Sequence, residues 1–331
     1  MDIGIDLGTA NTLIYEKKQG IILNEPSITV KNKKTRQYVA IGAEASDMMG
    51  RTPEACVAVR PIRHGVITSF HGTVALLRHF IRKTIENNFF RVRTVICVPC
   101  GITEVERRAV TEAARSAGAK EIFLVEQPLA AAIGCGVSVG EPKGSMIVNV
   151  GAGVTEVAVI SLGGIVVSHT IRTAGEAFDN AIVQYVKRKQ NMSIGDVTAE
   201  QIKCSIGSVY HHKEVERAEM KGRDLLSGLP KTAIITSSEV REALQEPAEE
   251  IIDAIKITLE KTPPELASDI VEGGIILAGG GAKLKGLGRL INLSVDIPVY
   301  IAEEPTECVA IGAGKFLDFK NEMGQKQRKF L

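Results

Sequence analysis

The sequence contains no tryptophan and few other aromatics, nine phenylalanines and five tyrosines in 331 residues. Aromatic stacking platforms of the kind single-stranded nucleic-acid binders use are poorly served by such a composition. Excess charge of one sign is missing too. Forty Lys and Arg face 39 Asp and Glu, a net charge of +1, which argues against a dedicated nucleic-acid binder and against an acidic disordered tail. No apolar run approaches the roughly 18 residues of a membrane helix. Met1-Asp2-Ile3-Gly4 shows no basic region followed by an apolar stretch, so no secretory leader is expected and the chain reads as cytoplasmic. The six cysteines, at 56, 97, 100, 135, 204 and 308, are scattered as in a reduced compartment. Cys97-x-x-Cys100 has no second Cys or His pair to complete a zinc site and reads as two buried thiols at a strand end. Six histidines without pattern give no Ser–His–Asp arrangement, and His211-His212 reads as an exposed loop.

Glycine, by contrast, is abundant, with 32 residues. A hydrophobic fraction of 44% with 24% charged residues is ordinary globular composition. The length suits about two domains, burying roughly three quarters of the unfolded surface without disulfide or metal. Ile3 to Tyr15 reads as strand, glycine turn, strand, from the alternation of Ile3, Ile5 and Leu7 and the resumption at Leu13-Ile14. Thr94 to Val98 and Ile122 to Val125 are buried-strand runs. Between them Thr103-Glu104-Val105-Glu106 forms a capping box that opens a helix running to Gly118. Strands alternating with helices indicate α/β architecture.

A second strand–turn–strand unit spans Met146 to Ile160. At an offset of 143 residues it sets Asn149 on Asp6, Gly151 on Gly8 and Thr155 on Thr12. This is one domain occurring twice rather than a solenoid. Val30 to Pro61 and Lys187 to about Ser237 read as insertions, Glu239 to Leu259 as a helix, and Lys320 to Leu331 as a frayed tail. A third glycine turn, Gly279-Gly280-Gly281, follows the strand Ile275 to Ala278. Glycine turns let backbone N–H groups approach an anion closely. None of the three is a Walker loop or a dinucleotide fingerprint. Two of them facing each other on duplicated domains would grip phosphates from both sides.

These motifs resemble the phosphate-1, phosphate-2 and adenosine elements of the actin, Hsp70 and sugar-kinase superfamily. Further stretches narrow the resemblance to the bacterial actin-like MreB family: Gly4 to Leu13, Leu23-Asn24-Glu25-Pro26-Ser27, Ile102 to Ala109, Thr155 to Gly163 and Lys261 to Leu266. It covers nearly the whole chain. It implies an α/β, actin-like ATPase fold of two duplicated α/β domains, each with a small inserted subdomain. The first domain would span residues 1–134 with its insertion at about 30–61. The second would span 135–315 with its insertion at about 187–237, and 316–331 would return to the first domain and end as a tail. The implied function is an ATP-binding, filament-forming protein that organises cell shape and cell-wall synthesis. Its partners would be copies of itself, the inner face of the cytoplasmic membrane, where it would sit peripherally, and membrane morphogenesis proteins, but no nucleic acid. A sugar kinase of the same superfamily would need a substrate base and sugar pocket, and no motif for them is found. An Hsp70-like ATPase would need a peptide-binding domain, for which the length leaves no room.

The resemblance also assigns a site for ATP and Mg2+. Asp6 would face the metal–phosphate complex. Gly8, Thr9, Ala10 and Asn11 would line the first phosphate loop, and Asn149, Gly151, Ala152 and Gly153 the second. Glu200, Gln201, Ile202 and Lys203, after a Thr198-x-x-Gln201 capping box, and Gly279, Gly280, Gly281 and Ala282 would meet the adenosine. Without the family, Glu200 and Lys203 would read as a surface ion pair. Glu126 and Gln127 would be the catalytic positions. The family's usual Asp, Thr and Glu are replaced here by Asn149, Val154 and Gln127, which implies a weak or impaired Mg2+-dependent ATPase. Phe89-Phe90, beside Lys83, Arg91 and Arg93, is either a core plug or a membrane-dipping wedge; the family's hydrophobic loop at this place favours the wedge.

Overall fold

A computed structural model describes residues 2–84, 92–211 and 214–328 of the chain. Two five-stranded sheets organise it. In the first the strand order is Glu121–Glu126, Arg93–Val98, Asp2–Leu7, Asn11–Glu16, Gly20–Pro26; in the second it is Val299–Ile301, Ile275–Ala278, Ser145–Val150, Thr155–Ser161, Gly164–Ile171. Strand directions match as well. The glycine hairpin and its outer neighbour are antiparallel, and the two strands on the other side run parallel. Register carries the duplication to single residues. Asp6 pairs with Leu13 in the first hairpin and Asn149 with Glu156 in the second, at the offset expected from sequence.

Both insertions are small sheets. Thr29–Asn32 pairs with Tyr38–Ile41 and with Cys56–Val59, and Ile28, Val30, Ala40 and Ala45 form a core of their own. In the second half Arg217–Asp224 pairs with Met192–Ser193 and Pro230–Thr236, with the helix Asp196–Ile206 in the same segment. The capping box at Thr103 forms as expected, with the helix Glu104–Ala117 ending on Gly118 in the left-handed region. The one expected at Thr198 does not. That helix starts at Asp196 on an N-cap of Gly195, so Thr198 already lies inside the first turn, past the position where a side chain can cap. Nor is the C-terminal segment frayed at Lys320: the helix Cys308–Arg328 runs on through it. Its anchorage is apolar packing by Leu317 and an ion pair of Lys17 with Asp318 at 2.7 Å.

Each sheet has its own apolar core. Ile3, Ile5, Leu77, Phe80 and Ile96 lead the first, and Val148, Phe178, Ile182, Leu244 and Ile251 the second. A third cluster joins them, drawing Val95 and Cys97 from one sheet, Ile147 and Ala278 from the other, and Ala131 and Ala313 from two helices. Those helices, Gln127–Gly134 and Cys308–Arg328, approach until backbone meets backbone. A Cβ on Gly312 would lie 1.7 Å from the Ala130 carbonyl oxygen, and one on Gly134 would lie 1.9 Å from that of Cys308.

Gly312→Ala should therefore lower the midpoint of urea unfolding. The methyl must force two helices apart, an overpacking cost of about 1–3 kcal/mol. Gly273→Ala, at a helix end with open space around it, should leave the midpoint unchanged or raise it slightly.

Candidate functional site

The two hairpins turn toward each other, and their tips touch. The Gly151 N–H donates to the Val154 carbonyl at 2.9 Å and closes the second turn. Gly153 lies against Thr9 so closely that a Cβ would come within 2.5 Å of the Thr9 hydroxyl. Between the tips sits the His64-Gly65 turn. His64 Nδ1 is 3.0 Å from the Gly153 carbonyl oxygen, and the Gly65 N–H donates to Thr9 Oγ1 at 3.2 Å. The third turn abuts the second hairpin. Gly279 holds φ at +81°, and a Cβ there would lie 2.3 Å from the Val150 carbonyl oxygen and 2.8 Å from Asn149 Oδ1, so no other residue suits the position. Gly280, Gly281 and Ala282 continue it as one 3-10 turn. The helix Gly175–Gln190 starts on the second hairpin, its Gly175 and Glu176 N–H groups donating to the Gly151 and Ala152 carbonyls at 3.1 and 2.8 Å.

Below the tips lies a set of buried polar atoms. Asp6 Oδ1 and Asn149 Oδ1 are buried and accept no hydrogen bond from the described residues. Burial pushes the Asp6 carboxyl up to about 7. Glu156 is fully buried in a strand that is otherwise apolar or small. Its Oε1 accepts the Cys100 N–H at 2.7 Å, while Oε2 has no partner. Burial raises this carboxyl too, to about 7; Cys100 and the Asn149 amide across the ladder oppose the shift, and Asp6 adds to it. Unpartnered carboxylate oxygens in a buried site are costly unless a cation joins them. A divalent ion fits that requirement. Among the described residues no three His, Cys, Asp or Glu side chains gather to hold a metal. The ion would share Asp6 with phosphate and water, the usual mode for Mg2+.

The remaining sequence-predicted residues divide. Thr9, Gly151, Ala152, Gly153, Gly279 and Asn149 come together around the cleft. Asn11 turns its amide to Asn24 Oδ1 at 2.9 Å, and the Ala10 carbonyl accepts the Ser27 N–H at 2.7 Å. Gln127 is buried at the first turn of its helix. Glu126 instead faces Arg107, 3.4 Å away. Lys203 makes no pair with Glu200. Its ammonium lies 2.8 Å from Asp179 Oδ1 on the neighbouring helix and donates to the Gly175 carbonyl at 3.1 Å. Glu200 and Gln201 are exposed, and Ile202 faces the opposite way, into the second core. Phe89 and Phe90 lie outside the described residues. A broad concavity of about 790 Å³, lined by Arg107, Arg108, Arg115, Phe316 and Lys320, lies away from every glycine turn.

Sequence reading missed His64, Gly65, Asp179 and the role of Glu156. Only Glu156 left a signal: a lone carboxylate in a continuous apolar run, at the position Leu13 holds in the first hairpin. The others reach the cleft from separate segments, with nothing local to mark them.

The profile of the MreB/Mbl protein family matches residues 1–325. The cell shape-determining protein MreB of Escherichia coli (strain K12) is 50% identical over 323 residues, covering 96% of this chain and 93% of its own length. The cell shape-determining protein Mbl of Bacillus subtilis (strain 168) is 46% identical over 327 residues, covering 98% of each. Among solved structures, MreB 5 of Spiroplasma citri bound to AMPPNP superposes with a TM-score of 0.92 at 36% identity, covering 100% of this chain and 98% of its own. A fold of two duplicated halves, three glycine turns at one cleft and likeness over the whole length agree: the chain belongs to the MreB/Mbl protein family.

Proposed function

We propose that the protein binds ATP with Mg2+ in the cleft between the hairpins, polymerises, and as a filament at the inner face of the cytoplasmic membrane organises cell shape and wall synthesis. The observation that carries this reading is the pair of glycine hairpins closing over Asp6 Oδ1 and Asn149 Oδ1, two buried acceptors with no partner. Backbone N–H groups at the turns would cradle phosphate oxygens. The names of the Escherichia coli and Bacillus subtilis relatives support the role in cell shape, and the AMPPNP complex of the Spiroplasma citri protein supports the nucleotide. A filament suits a chain with no second-substrate site in its sequence. Its test is light scattering and sedimentation of the purified protein. Scattering and pelleted protein should rise on adding ATP and Mg2+; a protein that stays monomeric at high concentration with both present would remove the central claim.

Hydrolysis should be slow. Mg2+ held at Asp6 would neutralise charge on the phosphates. Gln127 can orient a water but cannot take its proton, and Asn149 offers no charge at the second hairpin. A lost charge-assisted hydrogen bond is worth about 1.5–3 kcal/mol, or roughly one to two decades in rate if it falls wholly on the transition state. Asn149 has a structural side as well. It faces Glu156 across the ladder and opposes the rise of that carboxyl, whereas an Asp would put a third acid beside Asp6 and Glu156. Gln127→Glu with Asn149→Asp should raise single-turnover ATP hydrolysis and make it more dependent on Mg2+. Unchanged turnover in the double variant would show both departures to be neutral.

Membrane contact is assigned to Phe89-Phe90. Two of the flanking cations are engaged within the chain, Lys83 with Glu25 and Arg93 with Asp2. The apolar pair must therefore supply most of the affinity, at most about 1.5–3 kcal/mol per Phe, and filament avidity the rest. Polymer should co-sediment with liposomes, and Phe89→Ser with Phe90→Ser should abolish this while thermal stability is kept. Full lipid binding by a folded double variant would rule the wedge out, and a loss of thermal stability would identify the pair as a core plug.

A further inference from the structure

The chain passes between its two halves through the helix pair of the central cluster. Gln127–Gly134 follows the edge strand of the first sheet and leads toward Ser145–Val150. Cys308–Arg328 follows the last strand of the second sheet and packs back on Asp2–Leu7 and Arg93–Val98. Each helix carries a cysteine at the end where the two meet. Cys135 caps the first and is half-buried; Cys308 opens the second and is buried. A Cβ on Gly134 would lie 3.0 Å from the Cys308 Cα, so the backbones are in contact there, and both cysteine side chains pack in the same apolar cluster. The contact draws the Cys135 thiol below its ordinary value. The same contact, together with burial, pushes Cys308 up. A disulfide needs Cα atoms within about 7 Å and converging side chains. The backbone contact at Gly134 sets its neighbour Cys135 beside Cys308, and the shared cluster puts both side chains in the same packed region.

We propose that Cys135 and Cys308 are a redox-sensitive pair whose disulfide ties together the two helices that carry the chain between its halves, and so stiffens the cleft beside them. The cleft is one residue contact away. Cys308 Sγ lies 3.3 Å from the Pro305 carbonyl oxygen, and that same oxygen accepts the Gly279 N–H of the third glycine turn at 2.7 Å. Gln127 begins the helix that Cys135 ends. The effect on nucleotide rests on the reading of the cleft given above; the cross-link does not.

The oxidant is a hydroperoxide, hydrogen peroxide being the simplest. Cys135 attacks first, because it alone of the pair reaches solvent and its thiol is the more acidic. Its sulfur bonds one peroxide oxygen, the O–O bond breaks, and the departing hydroxide takes the thiol proton as water, leaving a sulfenic acid. Cys308 sulfur then attacks Cys135 sulfur. The S–S bond forms, the S–O bond breaks, and hydroxide leaves with the Cys308 proton as a second water. Two thiols lose two electrons in all, and the peroxide gains them. A dithiol reductant reverses the change by exchange. The neighbouring Cys97 and Cys100 are buried and their thiols are pushed up by burial, which keeps them out of the reaction. Such a transient bond is the form disulfides take in a reducing compartment.

The test uses the full chain in a Cys204→Ala background, which removes the exposed thiol. Protein is treated with hydrogen peroxide, free thiols are alkylated, and the protein is digested without reductant for mass spectrometry. A peptide pair joining Cys135 to Cys308, lighter by two hydrogens than its separate parts, should appear, revert with dithiothreitol and be absent in Cys135→Ala. Oxidation that stops at a sulfinic acid on Cys135, or leaves it untouched, overturns the pair. Two readouts then follow the cross-linked protein. Amide hydrogen exchange in Gln127–Gly134 should slow, and release of a fluorescent ATP analogue should slow severalfold, neither change occurring in oxidised Cys135→Ala. Cross-linking that leaves hydrogen exchange unaltered overturns the tie between the halves. Slower exchange with unaltered analogue release overturns only the coupling to the cleft. An analogue that fails to bind even the reduced protein counts against the nucleotide reading and leaves the cross-link to be decided by exchange.

Discussion

Bare backbone against bare backbone is the contact on which the arrangement of the two halves depends. At Gly312 and Gly134 the helices Gln127–Gly134 and Cys308–Arg328 meet with no side chain between them. The small residues around them, Ala130 to Ala132 and Ala313, are fully buried. Such packing leaves no slack, because interiors are already as dense as organic crystals. The seam also fixes where the hairpins stand. Gln127 and the Glu121–Glu126 strand enter from one side of it, and the Gly279 turn is tied to it through Pro305 from the other.

The cleft beside this seam holds charge without local compensation. Asp6 and Glu156 are both buried and both raised to about 7 by that burial. Two such groups in one site favour an arriving cation and resist a third carboxylate. Asn149 at the position expected for Asp makes physical sense on those terms. It relieves repulsion opposite Glu156, at the expense of a charge that would orient water. A similar exchange is seen at Lys203. The cation expected to meet the nucleotide sits against Asp179, whose own carboxyl is raised to about 6 by burial although Lys203 opposes it. The nucleotide contact proposed for Lys203 would have to compete with, or add to, that pair.

How much of this could be read from the sequence depended on how local the cause was. The glycine hairpins, the capping box at Thr103 and the 143-residue offset are carried by residues close together in the chain, and each appears in the structure at the expected place. The offset even predicts which residues face each other across both ladders. Readings that leaned on spacing alone fared less well. Thr198-x-x-Gln201 has the pattern of a capping box, yet Gly195 starts the helix, and Glu200 and Lys203 have the spacing of an ion pair, yet Asp179 takes the lysine. In both, a competing local or tertiary contact was stronger than the pattern.

The sequence by itself determined the strands, their doubling, the three glycine turns and the departures at Asn149, Val154 and Gln127, since alternation, turn chemistry and residue identity need no partner elsewhere in the chain. Only the tertiary structure decided that Gly153 rests on Thr9, that His64 and Gly65 sit between the hairpins, that Glu156 faces Asn149 at the floor of the cleft, and that Cys135 meets Cys308. Each of those contacts joins residues far apart in sequence, and their energies come from burial and close packing, which a chain acquires only when its halves are brought together.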